Sequence, residues 1–372
     1  MPRPRREDAN GRVTSSRAAP IRTTCPYCGV GCGVLANARA DGAAEVRGDP
    51  AHPANRGKLC VKGSALAETL GLSDRLLHPR VAGERVSWEA AITSVATGFR
   101  RCIDKHGPES VALYVSGQLL TEVYYVANKL MKGYIGAASI DTNSRLCISS
   151  AVAGYKRAFG EDIVPVGYQD LDLADLIVLV GSNTAWCHPV LLQRMLAARE
   201  ARPELKIITL DPRRTATAQI SDLHLPLAAG TDVHLFNGLL AWLAEEGHLD
   251  ASYIDAHTTG WQHAIEAARA GGDVEAVARA CKLDIALVRE FFALFANSRA
   301  VITAYSQGVN QSSSGTDKCN AIINCHLATG KIGKRGAGPF SVTGQPNAMG
   351  GREVGGFANT LAAHIDIHDK PG

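Results

Sequence analysis

Two short apolar runs, residues 173–180 and 205–210, constrain the fold of this chain more than any other feature. Each is too short for a typical helix and too uniformly apolar for a strand with one wet face, so each reads as a strand buried on both faces. Between them residues 190–200 read as a helix. A third strand is expected at 223–227, followed by a helix starting at Asp232 with Thr231 as its N-cap. Upstream, 111–115 reads as a strand, and Val123, Val126, Ala127, Leu130, Met131 and Tyr134 fall on one helical face. Strands alternating with helices predict an α/β fold built on a parallel sheet.

The 372 residues suggest two or three domains. Lys plus Arg number 39 against 36 Asp plus Glu, a net charge of +3, too small for the basic field that nucleic-acid binding needs. No apolar stretch reaches the about 18 residues of a membrane-spanning helix, so no membrane partner is expected. Residues 1–20 carry several arginines without an apolar segment and read as a solvated tail rather than an export signal. A cytoplasmic location follows as the expectation, and there clustered cysteines are more often metal ligands than disulfides.

Cys25, Cys28 and Cys32 form C-x2-C-x3-C, and Cys60 follows after 27 residues. Three close thiolates and a distant fourth suit a [4Fe-4S] cluster. Zinc is the alternative, but structural zinc usually takes two separated ligand pairs, and Cys60 has no such neighbour. Gly29, Gly31 and Gly33 interleave with the ligands and let the backbone curl. Cys102, Cys187, Cys281, Cys319 and Cys325 read as packing residues.

Together with further blocks, this cluster resembles the molybdopterin oxidoreductases that carry molybdenum bis(molybdopterin guanine dinucleotide), and among them bacterial assimilatory nitrate reductase catalytic subunits. The blocks are Cys60-Val61-Lys62-Gly63, Thr142-Asn143-Ser144-Arg145-Leu146-Cys147, residues 181–189, Asp211-Pro212-Arg213-Arg214-Thr215, Gly230-Thr231-Asp232, and residues 343–355. The resemblance implies a small N-terminal Fe-S domain followed by doubly wound parallel-sheet domains that bind dinucleotides. It divides the chain into a tail (1–20), a cluster domain (21–85), a first α/β segment (86–147), an α/β domain holding one dinucleotide arm (148–300) and a return segment (301–372). That last segment contains a Gly-rich active-site loop over 336–356.

By the same resemblance Cys147 binds molybdenum, Lys62 lies between cluster and pterin, and Arg352 holds nitrate with its planar donor fork. The implied cofactor contacts are Lys62, Gly181, Ser182, Asn183, His188, Asp211, Arg213, Gly230, Thr231, Asp232, Gly344 and Gln345. Plainer roles stand beside these: a turn for Asp211-Pro212, a solvated pair for Arg213 and Arg214, and an ion pair for Arg352 with Glu353 or another carboxylate. The implied reaction is reduction of nitrate to nitrite, with electrons from a ferredoxin, a flavodoxin or an NADH-linked reductase subunit. Formate dehydrogenases of the family usually carry His after the metal-binding residue, where Ile148 follows Cys147 here. A non-catalytic electron-transfer or scaffold subunit would have no need of Cys147. Catalytic subunits of the family are much longer than 372 residues, so the chain is expected to lack its C-terminal part and to be an incomplete reductase alone.

Overall fold

The computed structural model describes residues 19–39 and 43–367. The tail expected over 1–20 lies almost wholly outside the described residues. The chain divides into two compact units, Met1–Cys25 with Gly31–Leu77, and Pro26–Val30 with His78–Gly372.

The first unit is a three-stranded antiparallel sheet, β1 (Ile21–Thr24), β2 (Gly33–Ala38) and β3 (Ala44–Gly48), in that order. Its apolar core is small, with Val34 and Leu35 buried. Polar pins supplement it. The Asn55 side chain accepts from the Gly33 amide at 2.8 Å and donates to the carbonyls of Gly33 at 3.0 Å and Lys58 at 2.8 Å. Gly48 packs so closely on Gly57 that a Cβ there would lie 2.1 Å from its carbonyl oxygen, so this approach requires glycine.

The second unit opens with a hairpin, β4 (Arg80–Val81) and β5 (Glu84–Arg85). A helix follows over Trp88–His106, its first turn capped by Ser87, which accepts from the Ala90 amide at 3.2 Å. Strands β6 (Leu113–Val115) and β7 (Ile140–Thr142) pair in parallel. Between them the helix Thr121–Asn128 continues as a π-helical segment, Lys129–Ile135. The face expected to pack is mostly turned outward, because the helix presents Tyr124 and Ala127 inward from its start, before the π segment begins, and Met131 follows them within it. Tyr124 and Met131 are buried, whereas Val123, Val126, Leu130 and Tyr134 are exposed.

The centre of this unit is a five-stranded sheet of β8 (Leu176–Val180), β9 (Lys206–Leu210), β10 (Leu223–Leu225), β11 (Val301–Tyr305) and β12 (Gly338–Ser341). Its order is β10-β9-β8-β11-β12, and every pairing is parallel. All residues of β8 and β11 are buried, Thr303 of β11 included, as expected where both sheet faces are covered. Leu176, Val178 and Val180 join one cluster with Phe236, Phe291, Phe292 and Phe295 from neighbouring helices. Successive strands step outward from β8 to β10 on one side and from β11 to β12 on the other. The winding therefore reverses between β8 and β11, and a crevice beyond the carboxyl ends of those strands is where open α/β sheets bind ligands.

Two expected features differ. Thr231 precedes the helix Asp232–Glu245, but its hydroxyl donates to the Ala228 carbonyl at 2.7 Å and makes no cap bond. The Gly-rich stretch 336–356 is not simply a loop, because it contributes the edge strand β12 and the short helix Ala348–Glu353. Among the described residues no helix is long and apolar enough to cross a membrane.

Candidate functional site

Cys147 lies near the start of the helix Ser144–Phe159, whose backbone leaves helical geometry at Ile148 (φ −132°, ψ 20°). A regular helix would send the Ala151 amide to the Cys147 carbonyl. Here that amide donates instead to Oδ1 of Asn310 at 2.9 Å, and the Ser150 hydroxyl donates to the Asn310 carbonyl at 2.6 Å. The chain beyond β11 thus stabilises the break beside Cys147. From the same loop Gln307 Nε2 donates to Cys147 Sγ at 2.8 Å. The thiol is nearly buried, at 9% exposure.

The loop ends of β8 and β11 touch at two glycines. Gly308 N donates to the Gly181 carbonyl at 2.9 Å, and a Cβ on Gly181 would lie 2.7 Å from the Gly308 Cα. Gly181 also has φ +53°, so both space and backbone conformation call for glycine. Ser182 is buried, and its hydroxyl is 3.1 Å from that of Thr184. Asn183 accepts from the Thr217 hydroxyl at 2.9 Å. His188, also buried, meets the Thr343 carbonyl through Nε2 at 2.8 Å and joins this block to the stretch after β12.

That stretch closes the other side. Ser144 Oγ donates to Gln345 Oε1 at 2.7 Å, and a Cβ on Gly117 would come 2.5 Å from the same oxygen. Asn143 takes the Gly117 amide at 2.8 Å. Gly344 accepts from the Gly29 amide at 3.1 Å, so Gly344 and Gln345 both hold backbone segments at the site.

Arg352 is buried beside Asp162, with Nε 2.8 Å from Oδ2 and side-chain exposures of 5% and 2%. The plainer expectation of an ion pair is thus realised, with Asp162 as the carboxylate; Glu353 instead meets His364 at 3.0 Å. The Arg352–Asp162 contact is close, yet Nε is not aligned as a hydrogen bond, and Nε and Nη1 of Arg352 have no hydrogen-bond partner. Nη2 contacts Met349 Sδ at 2.7 Å. Burial pushes the guanidinium below its ordinary pKa, opposed first by Asp162, then by Glu353 and Cys147. Arg352 and Asp162 line a cavity of about 160 Å³ with Ile148, Tyr155, Phe340 and Met349. A buried thiol, an arginine with unused donors and glycine-only backbone approaches fit an anionic, sulfur-bound metal cofactor.

The comparisons with known proteins agree with this geometry. Residues 75–370 match the molybdopterin oxidoreductase family, and residues 19–71 match the molybdopterin oxidoreductase Fe4S4 domain. The chain belongs to the molybdopterin oxidoreductase family. It is similar to a nitrate reductase of Klebsiella oxytoca, 56% identical over 346 residues that make up 93% of this chain and 39% of that protein. A nitrate reductase of Shewanella frigidimarina is 50% identical over 93% of this chain and 38% of its own length. The chain thus spans well under half of each relative. Acetylene hydratase from Pelobacter acetylenicus shares the fold, with TM-score 0.76 at 23% identity, over 85% of this chain and 44% of that one. The cofactors of such a molybdopterin oxidoreductase are a molybdenum-pterin and a [4Fe-4S] cluster.

The remaining residues singled out by sequence fall as follows. In the first unit the Cys25 amide donates to the Cys32 carbonyl at 2.8 Å, with Gly31 at φ +65° letting the loop turn. Cys25 and Cys32 are buried, while Cys28 and Cys60 are half-buried. Among the described residues no three His, Cys, Asp or Glu side chains gather as ligands of one metal ion. All four cysteines lie within the residues that match the Fe4S4 domain. Lys62 is exposed on the short helix Val61–Ser64.

Asp211 accepts from the Arg213 amide at 2.8 Å, so it makes the plain turn at the end of β9, and Arg213 and Arg214 are exposed there. Gly230 has φ +89°. Asp232 is buried against Lys318, at 2.6 Å. Cys281, Cys319 and Cys325 are packed in the core as expected, but Cys187 is exposed at the end of the helix Thr184–Cys187. Gln307, Gly308, Asn310 and Asp162 were not indicated by the motif reading. The apolar run Val301–Tyr305 with Gly308 after it was the signal that would have marked a further strand end.

Proposed function

We propose that the protein of which this chain is part reduces nitrate to nitrite in the cytoplasm, in nitrate assimilation. The observation that carries the reading is Arg352, buried with unused donors beside the cavity on the Cys147 side of the sheet. The similarity to nitrate reductases supports nitrate as the substrate. When bound, the molybdenum bis(molybdopterin guanine dinucleotide) supplies oxygen-atom transfer and the [4Fe-4S] cluster supplies single electrons. Cys25, Cys28, Cys32 and Cys60 hold the cluster, and Lys62 next to Cys60 adds a positive charge that favours reduced, more negative carriers. Cys147 holds the molybdenum as a thiolate, and the Gln307 N–H draws electron density from its sulfur.

Arg352 receives nitrate with a flat pair of N–H donors, and Asp162 keeps the guanidinium charged and oriented although it is buried. Gly181, Ser182, Asn183 and His188 line the strand-end crevice for one dinucleotide arm. Asp211, Arg213, Gly230, Thr231 and Asp232 belong to its rim, and Gly344 and Gln345 close over the pterin. Overall, nitrate, two protons and two electrons give nitrite and water, the electrons coming from a ferredoxin, a flavodoxin or an NADH-linked subunit.

Steady-state kinetics of the full-length enzyme with a reduced dye test this. Cys147→Ala should abolish nitrite formation while leaving the cluster's EPR signal. Arg352→Lys should raise the nitrate KM by about 10-fold or more, because an ammonium loses the planar fork. An unchanged KM, or formate oxidation with no nitrate reduction, would overturn the assignment.

A further inference from the structure

The carboxyl ends of β8 and β11 carry the site described above; their amino ends border a second cavity, of about 660 Å³. It lies beside Asp175 and Ala300, the residues just before those two strands, and is further lined by Arg299, Lys331, Lys334, Arg335 and His248. Asp175 is already engaged, accepting from the Ala300 amide at 3.0 Å and lying 3.7 Å from Arg202. Lys334 lies 3.6 Å from Asp250. Lys331, Arg299 and Arg335 have no carboxylate partner among the described residues, so the cavity carries a surplus of positive charge.

Lys331 is the unusual member. It is 6% exposed, and its ammonium has no hydrogen bond or ion pair among the described residues, only the face of Phe295 at 5.2 Å from the ring centre. Its ammonium opens on the cavity rather than being sealed in the core, but it has lost part of its hydration, so an anion entering the cavity would find it ready to pair. Burial first, then repulsion from Lys334, lowers its pKa to about 8 against a smaller pull from Cys325 and Asp250, so a bound anion would relieve both lowering effects. The exposed Arg299 and Arg335 add two planar forks suited to oxygen-rich anions. The volume is that of a small-molecule site.

We propose that this basic cavity at the amino end of the sheet, centred on Lys331, binds a small phosphate-bearing anion away from Cys147. Three cations without carboxylate partners match a ligand of at least two negative charges better than a monovalent ion such as nitrate. Isothermal titration of the protein with pyrophosphate, at matched ionic strength, tests it. One saturable site is expected, weakened about 10-fold by Lys331→Met and several-fold by Arg335→Gln or Arg299→Gln, with Lys105→Met unchanged as a control. The arginine variants alter exposed side chains, so they decide the matter even if Lys331→Met does not fold. Absence of saturable binding, wild-type binding by both arginine variants, or equally tight binding of citrate would overturn the proposal.

Discussion

The five-stranded sheet and the helix Trp88–His106 both carry apolar side chains, to different effect. Every residue of β8 and β11 is buried, whereas that helix has no buried residue and exposes Trp88, Ile92 and Val95 on one side. Around it only a small cluster of Val111, Met131, Ala137 and Ile140 is fully enclosed. Lys132 adds polar straps there, donating to the carbonyls of Gly355 at 2.9 Å, Phe357 at 2.7 Å and Thr360. Periodicity thus shows that a face is apolar, but not whether anything covers it, and stability should follow the covering.

The largest expected effect lies in the sheet. Leu179→Ala in β8 should cost about 2–5 kcal/mol, measured by urea unfolding of this chain. A loss below 1 kcal/mol would mean the sheet is not the stabilising core. An effect of pH comes next. His326 is buried against Thr303 of β11, Nε2 to Oγ1 at 2.8 Å, and burial lowers its pKa from 6.5 to about 3. The unfolded chain then binds the proton more readily, so stability is lost as pH falls from 6.5 toward about 3. His326→Gln should flatten the stability profile in that window, and an unchanged acid slope would show that His326 is not the group responsible.

The smallest effect belongs to the helix. Ile92→Ala should change stability by no more than about 0.5 kcal/mol, and amides of 88–106 should exchange hydrogen by local opening long before those of β8. Equal protection in the two regions would erase the contrast between them.

Much of the sheet was legible because buried parallel strands leave short apolar runs, as at β8, β9 and β10. The half containing β11 and β12 was missed. Val301–Tyr305 is less uniformly apolar than β8, with Thr303 at its centre, and lies past a series of helices, and β12 contains Gly338 and Pro339, which disguise a strand as a loop. That omission hid the reversal of winding and with it Gln307 and Gly308. Cys147 and Arg352 were singled out through their motifs, and both lie by the cavity between the helix Ser144–Phe159 and the stretch after β12. Asp162 was not, because its pairing with Arg352 joins residues 190 positions apart through packing that no local pattern records. Gly181 appeared as a motif letter, and its close approach to Gly308 together with its positive φ gave it a physical cause.

Molybdenum-edge X-ray absorption of the loaded full-length enzyme tests the central assignment most directly, comparing wild type with Cys147→Ser at equal iron content. The variant should lose one sulfur from the molybdenum shell and gain an oxygen scatterer in its place. An unchanged sulfur shell in the variant would show that Cys147 does not bind the metal, contradicting the assignment.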